Sequence, residues 1–310
     1  MRNWGARVRE GARFAGYGAL VLENAALRVT LLVDRGADVV EFLHKPTDTD
    51  FCTFARRGLR GPAESAGHPF MDLYYGGWQE IFPSGGTPCV YAGVALDQHA
   101  EVALLPWRAA VREDTPDRVV VELETRCLQT PFRLRRVLTL DAGTPRLEVE
   151  GTAFNDSPHE LPVMWGQHLA FGAPYGGPDC RITLPPGARV LPVPGGLDLE
   201  DLTRAPRPGE QVSVTYLTGF SEGHYGVWDP GRPVGLDVRW DAAVLPYLWC
   251  WREAGTPGFP WYAREYFFGL EPFAGYPTEG LSAAVANDSC LRLPGGQSQT
   301  LRWSAAVTDA

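Results

Sequence analysis

The sequence predicts an all-β chain, a large antiparallel β-sandwich. Short apolar runs alternate with polar residues at a period of two. Glycine and proline, 35 and 27 residues respectively, punctuate the chain instead of clustering. No stretch of helical length carries a convincing 3.6-residue repeat. Many short strands with closely spaced turn signals give this pattern, whereas βαβ units do not.

The central third is the clearest part. Segments 118–126, 132–140 and 146–154 are strand-like, and Asp141-Ala-Gly-Thr-Pro145 makes the turn between the last two. In the third segment Leu147 and Val149 alternate with Glu148 and Glu150, so one face is expected to be buried and the other wet. Tight connections of this kind specify an antiparallel meander. Arg133, Arg135 and Arg136 lie inside it and read as part of one solvated sheet face. Segments 19–23, 27–33 and 37–43 repeat the style near the N-terminus. Segments 281–286, 290–293 and 299–307 repeat it near the C-terminus, and a short helix is expected over 198–203. With no internal repeat and no linker, one domain is expected to span residues 1–310.

Composition removes several function classes. The net charge is −9 and no basic stripe is present, so nucleic acid is not an expected partner. Lys45 is the sole lysine and sits in a turn-like stretch, which disfavours Schiff-base chemistry. The six cysteines contain no Cys-x-x-Cys pair, so no zinc-ribbon site is expected. No phosphate-binding glycine loop, nucleophile elbow or His-Glu-x-x-His motif occurs. The expectation is an enzyme without metal or other cofactor. The first ten residues lack the apolar core of a signal peptide, and no apolar run approaches membrane-spanning length. A soluble cytoplasmic protein with reduced thiols and no membrane partner is therefore expected.

Histidines and carboxylates in aromatic, Gly/Pro-rich surroundings remain. Asp97-Gln98-His99-Ala100-Glu101 leads to Leu105-Pro106-Trp107. Met164-Trp165-Gly166-Gln167-His168 runs into Leu169-Ala170-Phe171-Gly172. Phe267-Phe268-Gly269-Leu270-Glu271 is followed by Pro272-Phe273. A carboxylate with apolar neighbours on both sides costs free energy unless it is paired or used. The segment 53–93, rich in glycine and aromatics, is the loop region most suited to carry a binding site.

These three segments, in this order and at these distances, resemble the aldose 1-epimerase (galactose mutarotase-like) superfamily. The likeness covers roughly residues 19–307 and implies that superfamily's large β-sandwich. It implies a mutarotase-type isomerase that interconverts the α and β anomers of a sugar by acid–base ring opening. By the same likeness His168 is the general acid at the ring oxygen and Glu271 the base on the anomeric hydroxyl. His99 is the third candidate, contacting sugar hydroxyls or the ring oxygen. Acid and base are expected on opposite sides of the sugar ring.

Two departures stand out. The residue after His99 is Ala100 where the superfamily has a His-Gly-like turn. Hexose-phosphate members carry Arg-Gly-Gly where this chain reads Tyr75-Gly76-Gly77, which argues for an unphosphorylated sugar. Gln79 and Glu80 stand beside that turn as candidate hydroxyl contacts. Trp78, Trp165, Trp249, Trp251 and Trp261 are candidates to stack on the sugar, with Trp165 and Trp249 foremost. A sugar-binding sensor or regulator that has lost turnover is the alternative reading.

Overall fold

A computed structural model describes residues 2–309. Two antiparallel sheets face each other. The larger has eleven strands and the smaller eight. The larger sheet begins at its edge with Arg7–Phe14, Tyr17–Glu23, Leu27–Leu32 and Asp38–His44. It continues through Trp78–Ile81, Gly166–Gly172, Phe267–Phe273, Tyr247–Glu253 and Ser213–Thr218, so strands distant in sequence meet at its centre. The expected meander of Arg118–Arg126, Phe132–Asp141 and Arg146–Asn155 lies within the smaller sheet as consecutive neighbours.

Alternation sets which side chains fill the sandwich. In Phe132–Asp141 every second residue is buried, so Phe132, Leu134, Leu138 and Leu140 point inward. Arg136 shares that parity. It is therefore turned into the interior at 3% exposure, while Arg133 and Arg135 stay on the outer face. The solvated-face reading holds for two of the three arginines. Leu169 and Phe171, Leu248 and Cys250, and Phe268 and Leu270 face inward from the larger sheet and join one core with the meander. Their neighbours Trp249, Phe267 and Phe273 belong to a second apolar cluster. That cluster lies on the opposite face, because successive strand residues alternate sides.

The segment 281–286 is a helix, Leu281–Ala286, and not the expected strand. Three of its six residues are alanine, and its buried residues, Leu281 and Ala284, are spaced three apart. That spacing belongs to a helix face, and alanine is the best helix former. The expected helix over 198–203 is present as Leu199–Leu202, capped by Asp198, whose side chain accepts the Asp201 backbone N–H. Among the described residues no helix is long and apolar enough to cross a membrane.

Candidate functional site

The site is a row of residues across the middle of the larger sheet, on the face turned away from the sandwich core. The Gly166–Gly172 and Phe267–Phe273 strands pair with Gly166 opposite Phe273 and Ala170 opposite Gly269, which sets His168 opposite Glu271. Gln79 lies across from His168 on one side. Trp249 lies across from Glu271 on the other, followed by Tyr216. Directly opposed residues share a face, so strand register alone brings together side chains up to two hundred positions apart. His168 Nε2 stands 3.6 Å from Glu271 Oε1.

Small residues on this face keep the pair clear. A Cβ on Gly269 would lie 2.5 Å from Glu271 Oε1 and 3.2 Å from the Trp251 ring. The pair forms part of the wall of a cavity of about 210 Å3. Phe70 and Tyr74, from the glycine- and aromatic-rich segment 53–93, close it on one side. Trp251 and Trp261 close it on another. The Tyr74, Trp251 and His99 rings have centroids 5.6, 5.8 and 5.3 Å from the His168 ring. Trp249 is held flat on Phe273 at 3.9 Å between ring centroids, and its indole N–H donates to the Gly275 carbonyl at 2.9 Å.

Burial governs the electrostatics. It pushes the His168 imidazole down to about 4 and holds the Glu271 carboxyl well above its ordinary value. Both shifts disfavour charge, as expected of groups removed from water. Burial, reinforced by His168, also keeps His99 well below the usual imidazole range. The Gly86 backbone N–H donates to His99 Nδ1 at 3.2 Å, so a neutral His99 carries its proton on Nε2. His99 itself adopts φ +53°. The Tyr74 hydroxyl is buried and makes no hydrogen bond. Among the described residues Glu271 is the one carboxylate lining the cavity, and neither lysine nor arginine lines it.

A larger cleft of about 550 Å3 lies on the outer face of the eight-stranded sheet. It is open, and its Glu150 is paired with Arg302 at 2.8 Å. Volume favours that cleft; buried acid–base groups with depressed charge favour the smaller one, and chemistry decides for the smaller.

Of the residues singled out in the sequence, His99, His168, Glu271 and Trp249 line the cavity together. Trp78, Glu80 and Trp165 do not. Consecutive residues alternate faces, so Trp78 and Glu80 point into the sandwich core and Gln79 alone points to the site face. Glu80 Oε1 accepts from Trp165 Nε1 at 2.5 Å and from Gln167 Nε2 at 2.8 Å, and Oε2 lies 3.2 Å from Arg136 Nε. Gln79 flanks His168 but donates to the Gly76 carbonyl at 2.7 Å and lies outside the lining. Tyr75, at the position of the missing arginine, donates to buried Asp38 at 2.7 Å. Phe70, Tyr74, Gln98 and Thr278 are among the further lining residues that were not site candidates. Trp251 and Trp261, also candidates to stack on a sugar, line the cavity with Trp249; Trp251 lies two residues beyond Trp249 on one strand and therefore on the same face.

A family model described as "Domain of unknown function (DUF4432)" matches residues 15–307. The chain belongs to that family. No curated protein matches this DUF4432 chain. Among solved structures it is similar to one titled "putative aldose 1-epimerase" from Klebsiella pneumoniae, at TM-score 0.77 and 14% identity, with 97% of this chain and 83% of that one covered. It is also similar to a galactose mutarotase-like protein from Clostridium acetobutylicum, at TM-score 0.72 and 12% identity, with 99% of each chain covered. A galactose mutarotase-like protein from Lactobacillus casei aligns at TM-score 0.64 and 17% identity over 94% of this chain and 100% of that one. The DUF4432 chain thus has the galactose mutarotase-like β-sandwich that its sequence resembles.

Proposed function

We propose that this DUF4432 protein is an aldose 1-epimerase-type isomerase, with Glu271 and His168 as its acid–base pair. The observation that carries the reading is their contact, 3.6 Å apart, in the wall of an aromatic cavity of about 210 Å3. That volume falls below the roughly 300–1,000 Å3 usual for drug-sized ligands and suits a single sugar ring.

Glu271 takes the proton from the C1 hydroxyl as the C1–O5 bond breaks. The electron pair of that bond goes to O5, which His168 protonates, and C1 becomes an aldehyde. Rotation about C1–C2 turns its other face to O5. The steps then run backwards, with each group recovering its original proton state. The two oxygens are bonded to one carbon, so an acceptor and a donor standing side by side can reach both. Approach from opposite sides of the ring is not required. His99, with its proton on Nε2, supplies a hydrogen bond to a neighbouring hydroxyl, and Trp249 offers an apolar wall.

Positioned acid–base groups contribute about 10²–10⁴-fold to rate. Glu271→Gln should therefore slow α/β exchange of an accepted aldose by about 10²-fold or more, with its thermal midpoint kept. Exchange is followed by polarimetry of freshly dissolved sugars or by NMR. An unchanged rate in the variant would remove Glu271 from the reaction. If the native protein binds aldoses but accelerates none of them, the site is that of a sugar sensor.

A further inference from the structure

We propose that Gln79 is a positioning residue: its side-chain carbonyl keeps a proton on His168 Nδ1, so that Nε2 is the nitrogen that exchanges protons with Glu271 and the sugar. This deepens the epimerase reading and takes from it only that His168 acts as an acid. An imidazole that gives up one proton and ends neutral must keep a second on its other nitrogen. Losing its last proton would leave an imidazolate. Nε2 is the nitrogen beside Glu271, at 3.6 Å, so the proton that stays is the one on Nδ1. Which nitrogen of a histidine carries the proton is set by the bond the other nitrogen makes.

His168 Nδ1 and Gln79 Oε1 are both buried, and neither has a hydrogen-bond partner. The two residues stand directly opposite in the ladder between Trp78–Ile81 and Gly166–Gly172. Opposed side chains on one face have Cβ atoms about 4.5–5.5 Å apart, so a modest rotation of the long glutamine side chain closes the gap. The carboxamide is oriented for it. Its Nε2 donates to the Gly76 carbonyl at 2.7 Å, and the same amide favours the charged form of the Asp38 carboxyl. Asp38 flanks Gln79 on the side away from His168, one step along from the Val39–Trp78 pairing. With the amide nitrogen committed there, the carbonyl oxygen is the end left for His168.

The other groups around the ring do not supply this acceptor. His99 Nδ1 is taken by the Gly86 N–H and its Nε2 is a donor, so it accepts nothing from His168. Phe70 has no polar atom, and the Trp251 indole only donates. The Tyr74 hydroxyl can donate or accept, so it does not by itself select a tautomer. The backbone carbonyl of His168 also favours a proton on the ring, yet Nδ1 stays without a partner. Gln79 lies outside the cavity lining, so its loss should act on turnover more than on binding.

The tautomer is read from nitrogen NMR shifts of the full-length protein carrying labelled histidine, with His168→Asn identifying the signals. In the native protein without sugar, His168 should carry its proton on Nδ1, and that proton should show a nuclear Overhauser contact to the Gln79 side chain. Gln79→Met keeps the side-chain length and removes the acceptor. It should give a mixture of tautomers and lower kcat for anomer exchange by about 10–100-fold, the usual cost of losing a group that orients a histidine, with KM little changed. Gln79→Glu presents an oxygen in either protonation state and should restore the Nδ1–H form. A native His168 protonated on Nε2 alone overturns the assignment. So does Gln79→Met with the tautomer or kcat unchanged, or a tautomer released by Tyr74→Phe instead. If Gln79→Met does not fold, the native contact decides: an Nδ1 proton in contact with Tyr74 and not with Gln79 overturns the assignment. A tautomer that follows Gln79 in a protein that accelerates no aldose overturns the epimerase reading and leaves the positioning of His168 standing.

Discussion

Ring opening removes one proton from O1 and delivers one to O5, so a two-group catalyst needs one proton held between its members. In the proposed isomerase Glu271 and His168 would meet that need through burial, which raises the first and lowers the second to about 4. In the empty cavity the proton therefore rests on Glu271, and transfer across the 3.6 Å contact gives the base and acid forms without changing the proton count. The pH profile belongs to the pair. As pH falls, activity is lost when a second proton binds, which burial of His168 delays to about pH 4. As pH rises, activity is lost when the remaining proton leaves, above the ordinary carboxylate range. The expected kcat/KM profile has its acid limb near pH 4 and its alkaline limb above the ordinary carboxylate range, with no acid limb where an ordinary imidazole would titrate. An acid limb centred near the ordinary imidazole value of 6.5 would show that no such one-proton pair operates. Both residues were legible as candidates from their apolar flanks and the superfamily likeness, and both line the cavity. Their contact was not, because one ladder register, between strands a hundred residues apart, creates it.

At the scale of the strand, the face that carries the pair is kept shallow by glycine. Gly269 lies on the site face two residues before Glu271, and an added methyl would meet the carboxylate at 2.5 Å. Gly269→Ala should displace the carboxylate and lower the exchange rate by about tenfold or more, since small misplacements of a reacting group are expensive. Its unfolding midpoint should change little, because the carboxylate can swing into the cavity. Kinetics and thermal melts on the same preparation check both halves; a full rate with native stability would show that the carboxylate has slack. Gly166→Ala should behave oppositely. Its methyl would press on the rigid Phe273 ring at 2.3 Å, and the expected cost is about 1–3 kcal/mol of stability in urea unfolding. The strands themselves were readable from period-two alternation. Leu281–Ala286 was not, because six residues with two buried positions fit a strand run nearly as well as a helix turn. Parity was the information missed within Trp78–Ile81: three polar or aromatic neighbours cannot all face one site.

The two sheets of the whole molecule are tied together by charge as well as by apolar packing. Arg136 reaches inward from the smaller sheet to Glu80 on the larger one, and its guanidinium also donates to the Ala37 carbonyl at 3.3 Å and lies over the Trp107 ring at 5.8 Å. Both charged residues are almost wholly buried. Sequence alone sent them elsewhere, Arg136 to the solvent and Glu80 to the sugar, because a buried ion pair is recognisable only when both strands' parities and the sheet–sheet facing are known. Breaking such a pair leaves a buried charge without its partner and costs about 3–5 kcal/mol, whereas removing both charges is often close to neutral. Arg136→Met should therefore destabilise the protein by that amount in urea unfolding, and Glu80→Gln combined with Arg136→Met should recover most of the loss. Glutamine is the better companion than an apolar residue, since its carbonyl can still accept from the Trp165 indole. Recovery in the double variant identifies the stranded carboxylate as the source of the damage. If Arg136→Met alone stays within about 1 kcal/mol of the native protein, the two sheets are held by apolar burial and the ion pair adds nothing measurable.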